Sequence, residues 1–233
     1  MQLPYFYEPF IAANKNFVLS EETSKHCIIV LRMKQGQQLQ LTDGKGNLFT
    51  AAISKADKKN CEVVIRDTGY EMRDTKQVCI AISLLKNANR FEWFLEKATE
   101  IGVEEIIPLL CERTEKQHFR FERMNNILIS AMLQSRQAWL PFLKQPTLFH
   151  EVVTTSAFHK KFIAHCMQSE KKFIKDVEFD NNLQILIGPE GDFTINEIQL
   201  ALQHNYIPVS LGSTRLRAET AGVVASALMI NCT

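Results

Sequence analysis

The N-terminal part of the chain alternates apolar and polar residues, which is the pattern of strands with one buried face. In the stretch "QQLQLTDGKGNLFTAAI" the apolar residues Leu39, Leu41 and Leu48 lie on either side of "DGKG". Glycine accepts the positive φ angles that tight hairpin turns require, so the sequence predicts a hairpin there. The stretch "CEVVIRD" offers a further strand. Several short strands without long helices predict a small β-barrel over residues 1–70.

A polar, aperiodic stretch over residues 71–77 is the best candidate for a linker, because the pattern changes after it. The continuous apolar run "VCIAISLL" is typical of a strand that is buried on both faces of a parallel sheet. Apolar residues then recur at helical spacing in "NANRFEWFLEKATEIGV". Asn89 with Glu92 three residues later predicts a capping box, and Gly102 stands where the helix should end.

The remaining sequence repeats this alternation of strands and helices. The strand-like runs are "VEEIIPLL", "KFIAHCM", "LQILI" and "YIPVSL". The helical stretches are "MNNILISAMLQS", a segment from about Ile195, and "AETAGVVASALMI". This order predicts an α/β fold with an open, mostly parallel sheet.

Composition narrows the class of protein without naming an activity. Lys and Arg number 27 against 26 Asp and Glu, so no global basic signature indicates nucleic-acid binding. The six cysteines (Cys27, Cys61, Cys79, Cys111, Cys166 and Cys232) lack C-x-x-C or zinc-finger spacing, which predicts buried free thiols and no metal site. The N-terminus does not resemble a signal peptide and no apolar run is long enough to span a bilayer, so we expect a cytoplasmic protein without a membrane partner.

Two glycine-marked turns follow predicted strands: "ILIGPEGDFTINE" and "LGSTRLRAETA". Ligands of open α/β sheets bind beyond the carboxyl ends of the strands, which is where both turns fall. Neither turn is a G-x-G-x-x-G fingerprint, and the chain has no G-x-x-x-x-G-K-[ST] phosphate loop. On the residues alone, ordinary turn glycines and solvated arginines explain these stretches as well as a ligand site does. Thr194 with Glu197 predicts a capping box for the following helix.

The same two stretches, "LIGPEGDFTINEI" and "LGSTRLRAETA", resemble the hallmark motifs of the RsmE family of ribosomal RNA uridine methyltransferases, in the SPOUT superfamily. "HCIIVLRMKQG", "KNANRFEWFLEKATEIGV", "PLLCERT" and "AMLQSRQAWLP" resemble further family motifs in the same order. Two positions depart from the family pattern. Asp192 stands where the family often has a glycine or small residue, and Gln137 where it often has a basic one, although the neighbouring Arg136 could substitute.

The resemblance implies a fold and a cofactor. The expected fold is a small PUA/OB-like β-barrel for RNA binding (residues 1–70), the linker, and a SPOUT-type α/β methyltransferase domain with a deep trefoil knot (residues 78–233). The expected cofactor is S-adenosylmethionine, held by the two turns. The implied cofactor-binding residues are Leu186, Ile187, Gly188, Pro189, Glu190, Gly191, Leu211, Gly212, Ser213, Leu216, Arg217 and Thr220.

The implied reaction is methylation of the imino nitrogen (ring position 3) of a uridine in 16S ribosomal RNA of the assembled small subunit. Arg217 would stabilise charge on the uracil, and either Glu190 or Glu219 would accept its proton. The candidate RNA-binding residues are His26, Arg32, Lys34, Lys86, Arg90, Arg113 and Arg136. The apolar last helix, together with family habit, implies a homodimer.

Other readings stay open at this point. One is a ribosome-assembly protein that binds RNA with the same fold and has lost the reaction. Another is a SPOUT enzyme that methylates a ribose hydroxyl of transfer or ribosomal RNA. A general nucleotide-binding or redox α/β enzyme is a third, although the chain lacks a fingerprint for those cofactors.

Overall fold

The computed structural model describes residues 2–11, 15–73, 76–168 and 170–231. The chain forms two compact units. The first contains residues 1–73 together with 132–140, and the second contains residues 74–131 and 141–233.

The first unit is built on a five-stranded sheet in the order β1-β3-β4-β5-β2. Its strands are β1 (Tyr5–Tyr7), β2 (Asn16–Val18), β3 (Gln38–Thr42), β4 (Asn47–Lys55) and β5 (Glu62–Tyr70), with helix α1 (Glu21–Lys25) continuing into a π-helix (His26–Val30). β1 runs parallel to β3, and the other pairs are antiparallel. Register shifts at Thr50/Ala51 and Ile53/Lys55 mark irregularities in β4, and bulges of this kind bend a strand. The predicted β-rich N-terminal part and its β3–β4 hairpin are confirmed.

The segment 132–140 extends the first unit, which corrects its assignment to the second domain. Its backbone bonds the hairpin turn twice, since Gly46 N donates to Ala138 O (3.0 Å) and Leu140 N donates to Gly44 O (2.9 Å). Gly46 has a φ of +89°, and a Cβ there would lie 2.5 Å from the Trp139 ring. The hairpin glycines therefore allow the tight turn and also leave room for residues 138–140 to pack against it.

The second unit contains a parallel sheet in the order β11-β13-β10-β12-β6-β7-β8, with β9 also paired to β7. The strands are β6 (Gln77–Ser83), β7 (Glu105–Leu110), β8 (Phe142–Leu143), β9 (Thr147–Leu148), β10 (Lys160–Ala164), β11 (Lys172–Phe173), β12 (Asn182–Ile187) and β13 (Tyr206–Ser210). The helices are α2 (Ala88–Ile101), α3 (Phe121–Gln134, of which residues 132–134 belong to the first unit), α4 (Phe149–Thr155), α5 (Ile195–Gln203) and α6 (Ala218–Asn231), with a 3₁₀ turn at Ile174–Asp176. The predicted parallel α/β class is confirmed, while the trefoil knot stays a prediction.

The helix ends of this unit follow the sequence signals with one correction. Thr194 and Glu197 form the predicted capping box of α5, and Gly102 ends α2 with a φ of +98°. The predicted Asn89–Glu92 capping box is wrong, because Asn87 caps α2 by accepting the N–H of Asn89. Glu92 instead forms a two-pronged ion pair with Arg123, at 2.6 and 2.9 Å.

Five of the six cysteines lie in the described residues, and each is a free thiol. Cys27, Cys61, Cys79 and Cys111 are buried as expected, whereas Cys166 is exposed. Cys232 lies outside the described residues. Burial raises the pKa of the Cys111 thiol to about 12, so this thiol stays protonated at neutral pH.

Candidate functional site

The candidate site is a cavity of about 680 Å³ at the carboxyl edge of the parallel sheet in the second unit. Neighbouring strands β13, β10, β12 and β6 run parallel, so the segments that follow them emerge at the same edge. Two of the segments are the glycine-marked turns of the sequence. We name residues 188–194, after β12, the GPEG loop, and residues 211–217, after β13, the arginine loop.

The GPEG loop is held in a tight turn by its own backbone. Asp192 N donates to Pro189 O at 3.0 Å, and a Cβ on Gly188 would lie 3.2 Å from the Phe193 ring. Phe193 is almost fully buried in the sheet core. A glycine at position 188 therefore lets the chain turn directly over an anchored aromatic ring.

Asp192 adopts a φ of +63°, a backbone conformation that costs free energy in residues other than glycine. Its carboxylate has two local partners: Oδ2 accepts the N–H of Cys166 at 2.8 Å, and Oδ1 accepts the N–H of Phe193 at 2.9 Å. The departure from the family's small residue thus occurs where glycine would relieve the backbone, and the aspartate ties the GPEG loop to the end of β10.

The end of β10 is a third wall of the cavity, which the sequence analysis missed. Ala164, His165 and Cys166 line the cavity, together with Lys171. The run "KFIAHCM" carries no glycine and no charged motif, so the sequence predicts strand throughout, whereas β10 ends at Ala164. Only its place between β12 and β13 in the sheet brings it to the site.

His165 brings a titratable ring to this wall. The residue is 9% exposed, and its Nδ1 is buried without a hydrogen-bond partner among the described residues. Burial lowers the pKa of His165 below its ordinary 6.5, and the nearby ammonium of Lys171 lowers it further, against a smaller opposing effect of Asp192. Lys171 Nζ donates to the carbonyl oxygens of His165 (2.8 Å) and Met167 (2.7 Å). The imidazole is therefore neutral at pH 7.

The arginine loop forms the opposite wall. Ser210 Oγ donates to Gly212 O at 2.8 Å, and a Cβ on Gly212 would find no atom within 4 Å, so the space beside this glycine is open. Arg215 and Arg217 are exposed and both line the cavity. The wall therefore combines an accessible backbone with two fixed positive charges.

The two candidate carboxylates differ in their surroundings. Glu190 is exposed on the cavity wall, and its Oε1 accepts the N–H of Lys86 at 3.2 Å. Glu219 is 7% exposed in the first turn of α6, with Oε1 3.6 Å from Arg90 Nε. Its Oε2 is buried and has no hydrogen-bond partner in the described part of the chain. Glu190 therefore lines the cavity, whereas Glu219 is buried outside the lining and pairs with Arg90, which does line it.

Eight of the twelve predicted cofactor-binding residues line the cavity: Ile187, Gly188, Pro189, Glu190, Leu211, Gly212, Leu216 and Arg217. The other four lie elsewhere in the described structure. Leu186 is buried in the sheet core, Thr220 is half-buried in α6, Ser213 is exposed, and Gly191 lies against the Arg113 side chain.

The predicted RNA-binding residues fall in both units. His26, Arg32 and Lys34 are exposed on the first unit, with Arg32 at a φ of +54°. Arg136 also belongs to the first unit, where it is half-buried and donates to Leu3 O (2.8 Å); its contact with RNA stays a prediction. In the second unit Arg90 lines the cavity.

The last two predicted RNA contacts, Lys86 and Arg113, have partners inside the second unit. Lys86 Nζ pairs with Glu115 at 2.8 Å, and Arg113 Nη1 donates to Gly191 O at 2.6 Å. In the described residues no group of three or more His, Cys, Asp or Glu could hold a metal ion. No helix within the described ranges is long and apolar enough to cross a bilayer.

Comparison with known proteins identifies the class of protein to which the chain belongs. Residues 72–230 match the family described as RNA methyltransferase domain, and residues 19–66 match RNA methyltransferase PUA domain. These matches place the chain in the class of RNA methyltransferases.

Individual relatives narrow the class to one family. The chain is 32% identical to ribosomal RNA small subunit methyltransferase E of Synechocystis over 206 residues, which cover 85% of this chain and 67% of that protein. The crystal structure of a probable rRNA methyltransferase from Porphyromonas gingivalis is 38% identical with a TM-score of 0.90, over 96% of this chain and 95% of that one. A putative methyltransferase from Legionella pneumophila with bound SAM is 31% identical with a TM-score of 0.88, over 98% and 97%. The chain belongs to the ribosomal RNA small subunit methyltransferase E family.

Proposed function

We propose that this protein transfers a methyl group from S-adenosylmethionine to the imino nitrogen, at ring position 3, of a uridine in 16S ribosomal RNA. The observation that carries the proposal is the cavity between the GPEG loop and the arginine loop, the two stretches on which the family resemblance rests. The SAM-bound Legionella relative and the small-subunit RNA named for the Synechocystis relative support the cofactor and the substrate class.

The cavity fits the proposed cofactor in size and in lining. Pockets for ligands of this kind measure about 300–1,000 Å³, and this one measures about 680 Å³. Open space beside Gly212 leaves room for close approach to the backbone. Ile187, Pro189 and Leu216 offer apolar surface together with backbone polar groups. S-adenosylmethionine, when bound, supplies an electrophilic methyl group; orientation and proton removal are left to the protein.

Arg217 is the proposed stabiliser of the uracil as it loses its imino proton. A guanidinium stays protonated, so Arg217 cannot be a base, but it can donate hydrogen bonds to oxygens on which negative charge develops. Arg217 is exposed on the cavity wall, where a substrate base can reach it. One such donor is worth about 3–4 kcal/mol, or roughly 10²–10³ in rate.

Glu190 is the proposed proton acceptor, directly or through one water molecule. It lies exposed on the cavity wall, where a bound base can come within hydrogen-bond reach of its carboxylate. Glu219 is buried with Arg90 at 3.6 Å, so its proposed part is to hold Arg90 in place.

The proposed partner is 16S ribosomal RNA within the assembled small subunit. The reacting nitrogen lies on the pairing edge of uracil, so the base must be unpaired or flipped out. The formal net charge of +1 favours weak binding to bare RNA, which supports a structured particle as the substrate. His26, Arg32 and Lys34 on the first unit are the proposed phosphate contacts.

A homodimer is part of the proposal, and α6 supports it. This helix is apolar around most of its circumference, and Val223, Val224, Leu228 and Ile230 remain half-buried in the single chain. A second copy would cover these side chains. Sedimentation of the full chain tests this directly, and a monomer at micromolar concentration would contradict it. The cytoplasmic location stays a prediction.

The experiment that tests the function compares wild-type protein with Arg217→Ala on small subunits that lack the modification. Transfer of labelled methyl from S-adenosylmethionine should be seen with the wild type and should fall about 10²–10³-fold in turnover with the variant. Calorimetry should show that the variant still binds the cofactor. An unchanged turnover would remove Arg217 from the chemistry. Tight binding to subunits without any transfer by the wild type would favour the assembly-protein alternative.

A further inference from the structure

The loop after β7 (residues 111–120, the β7 loop) is attached to the GPEG loop region at two points. Arg113 Nη1 donates to Gly191 O at 2.6 Å, and Glu112 N donates to Glu197 Oε1 at 2.9 Å. Both donors come from successive residues of the β7 loop. The acceptors lie on either side of Thr194, where the GPEG loop enters α5.

Glu197 makes one of these points rigid. The residue is 5% exposed, and both carboxylate oxygens are used: Oε1 by Glu112 N, and Oε2 by the N–H (2.8 Å) and hydroxyl (3.2 Å) of Thr194. Buried carboxylates with this many donors have little freedom to move. The C-terminal end of the GPEG loop is thereby fixed to the β7 loop.

The β7 loop is itself anchored, so Arg113 extends from a fixed base. Thr114 is buried; its Oγ1 accepts the N–H of Cys111 at 2.8 Å and hydrogen-bonds to Ser83 Oγ at 2.9 Å. Ser83 is the last residue of β6, in the middle of the sheet. The guanidinium therefore binds the Gly191 carbonyl from a point that is set by the sheet.

Gly191 allows this contact because it has no side chain. A Cβ at this position would lie 3.3 Å from Arg113 Cδ and 3.6 Å from Arg113 Cβ, so the arginine stem packs directly over the loop. Gly191, which the family resemblance assigns to the cofactor, is thus also the residue against which the Arg113 side chain packs.

We propose that Arg113 is a positioning residue: by holding the Gly191 carbonyl it keeps the GPEG loop in the conformation that binds S-adenosylmethionine. The inference rests on the proposed function and deepens it, because it assigns to cofactor binding a residue that the sequence assigned to RNA. Arg113 acts through the loop backbone and does not itself line the cavity. Residues 188–190 do line the cavity, and removing the Arg113 side chain would loosen them.

The test measures the Kd for S-adenosylmethionine by calorimetry and the KM for small subunits in the transfer assay. The variants are Arg113→Ala, Arg113→Lys and the control Lys116→Ala, which removes an exposed cation three residues further along the same loop. Arg113→Ala should raise the Kd for S-adenosylmethionine about three- to tenfold, since one charge-assisted hydrogen bond is lost at an exposed position. Arg113→Lys should recover part of the affinity, and Lys116→Ala should bind like the wild type.

The split between the two substrates separates positioning from RNA contact. A raised Kd for S-adenosylmethionine with an unchanged KM for subunits supports the inference. An unchanged Kd with a raised KM for subunits overturns it and returns Arg113 to RNA binding. Equal affinity of the wild type and Arg113→Ala overturns this inference alone, whereas a wild type that binds no S-adenosylmethionine overturns the proposed cofactor as well. Equal melting temperatures of Arg113→Ala and wild type, which we expect for an exposed residue, show that the loss is local.

Discussion

Two glycines of the second unit should respond in opposite ways to the same substitution, alanine. Gly212 has open space around its would-be Cβ, and its φ lies outside the left-handed region. Gly212→Ala should therefore leave the fold intact and stabilise it by about 0.4–1 kcal/mol, because the unfolded chain loses freedom. The new methyl group enters the space beside the arginine loop, so the Kd for S-adenosylmethionine should rise by about tenfold or more, equivalent to ~1.4 kcal/mol.

Gly222, on α6, has no such room. A Cβ there would lie 2.7 Å from two ring carbons of Phe94 and 3.0 Å from Ile82 Cδ1. Both neighbours are fully buried, so the contact cannot be relieved by moving a flexible chain end. Overpacking costs about 1–3 kcal/mol, and the better helix propensity of alanine offsets about 1 kcal/mol. We expect a net loss of about 1 kcal/mol, which lowers the melting temperature by roughly 2–4 °C in a chain of this size.

The assay pairs thermal unfolding with calorimetric titration of S-adenosylmethionine at a temperature where all proteins are folded. Gly212→Ala should melt at or above the wild-type temperature and bind weakly. Gly222→Ala should melt lower and bind with an affinity near that of the wild type. Wild-type affinity in Gly212→Ala would refute the assignment of this open space to the cofactor. An unchanged melting temperature in Gly222→Ala would refute the close packing of α6 on Phe94.

Three further predictions concern charged groups of the site. Asp192→Ala should lower the free energy of unfolding by about 1–2 kcal/mol and weaken S-adenosylmethionine binding, because the hydrogen bond to Cys166 N is lost while the positive φ remains. Urea unfolding and calorimetric titration measure the two effects, and wild-type values in both would contradict the prediction. His165 has a lowered pKa in the folded protein, so the unfolded chain takes up the proton first as pH falls below 6.5. Stability should thus decrease through that range in the wild type and less in His165→Asn, as urea unfolding at several pH values measures; parallel curves would oppose it. Glu190→Gln should lower kcat by about 10²-fold or more, and Glu219→Gln should lower it by less. A larger loss of kcat in Glu219→Gln than in Glu190→Gln would show that Glu219 is the proton acceptor.

The elements that local sequence signals determine were predictable. The Thr194–Glu197 capping box and the Gly102 helix end depend on residues within one turn of each other, and both are present. The Asn89–Glu92 box failed because Asn87, and not Asn89, is the N-cap of α2, and the local pattern offers an asparagine at both positions. Glu92 then lies too far into the helix to reach the cap, and it pairs with Arg123, a partner 31 positions away that no local pattern reveals.

The same distinction holds for the site. The GPEG and arginine loops could be located from their glycines and their place after strands, and both line the cavity. The wall formed by His165 and Cys166 could not, because it depends on β10 lying between β12 and β13. Nor could the sequence reveal that Arg113 binds Gly191 O, since that contact joins residues 78 positions apart.

The measurement that tests the central claim most directly is the identity of the methylated nucleoside. Small ribosomal subunits that lack the modification are incubated with the protein and labelled S-adenosylmethionine, and their RNA is digested to nucleosides for separation and mass determination. The account predicts a single product, uridine methylated at the imino nitrogen, which forms about 10²–10³-fold more slowly with Arg217→Ala. Methyl on a ribose hydroxyl or on another base would contradict the proposed substrate while keeping the cofactor, and no labelled nucleoside at all would contradict the proposed reaction.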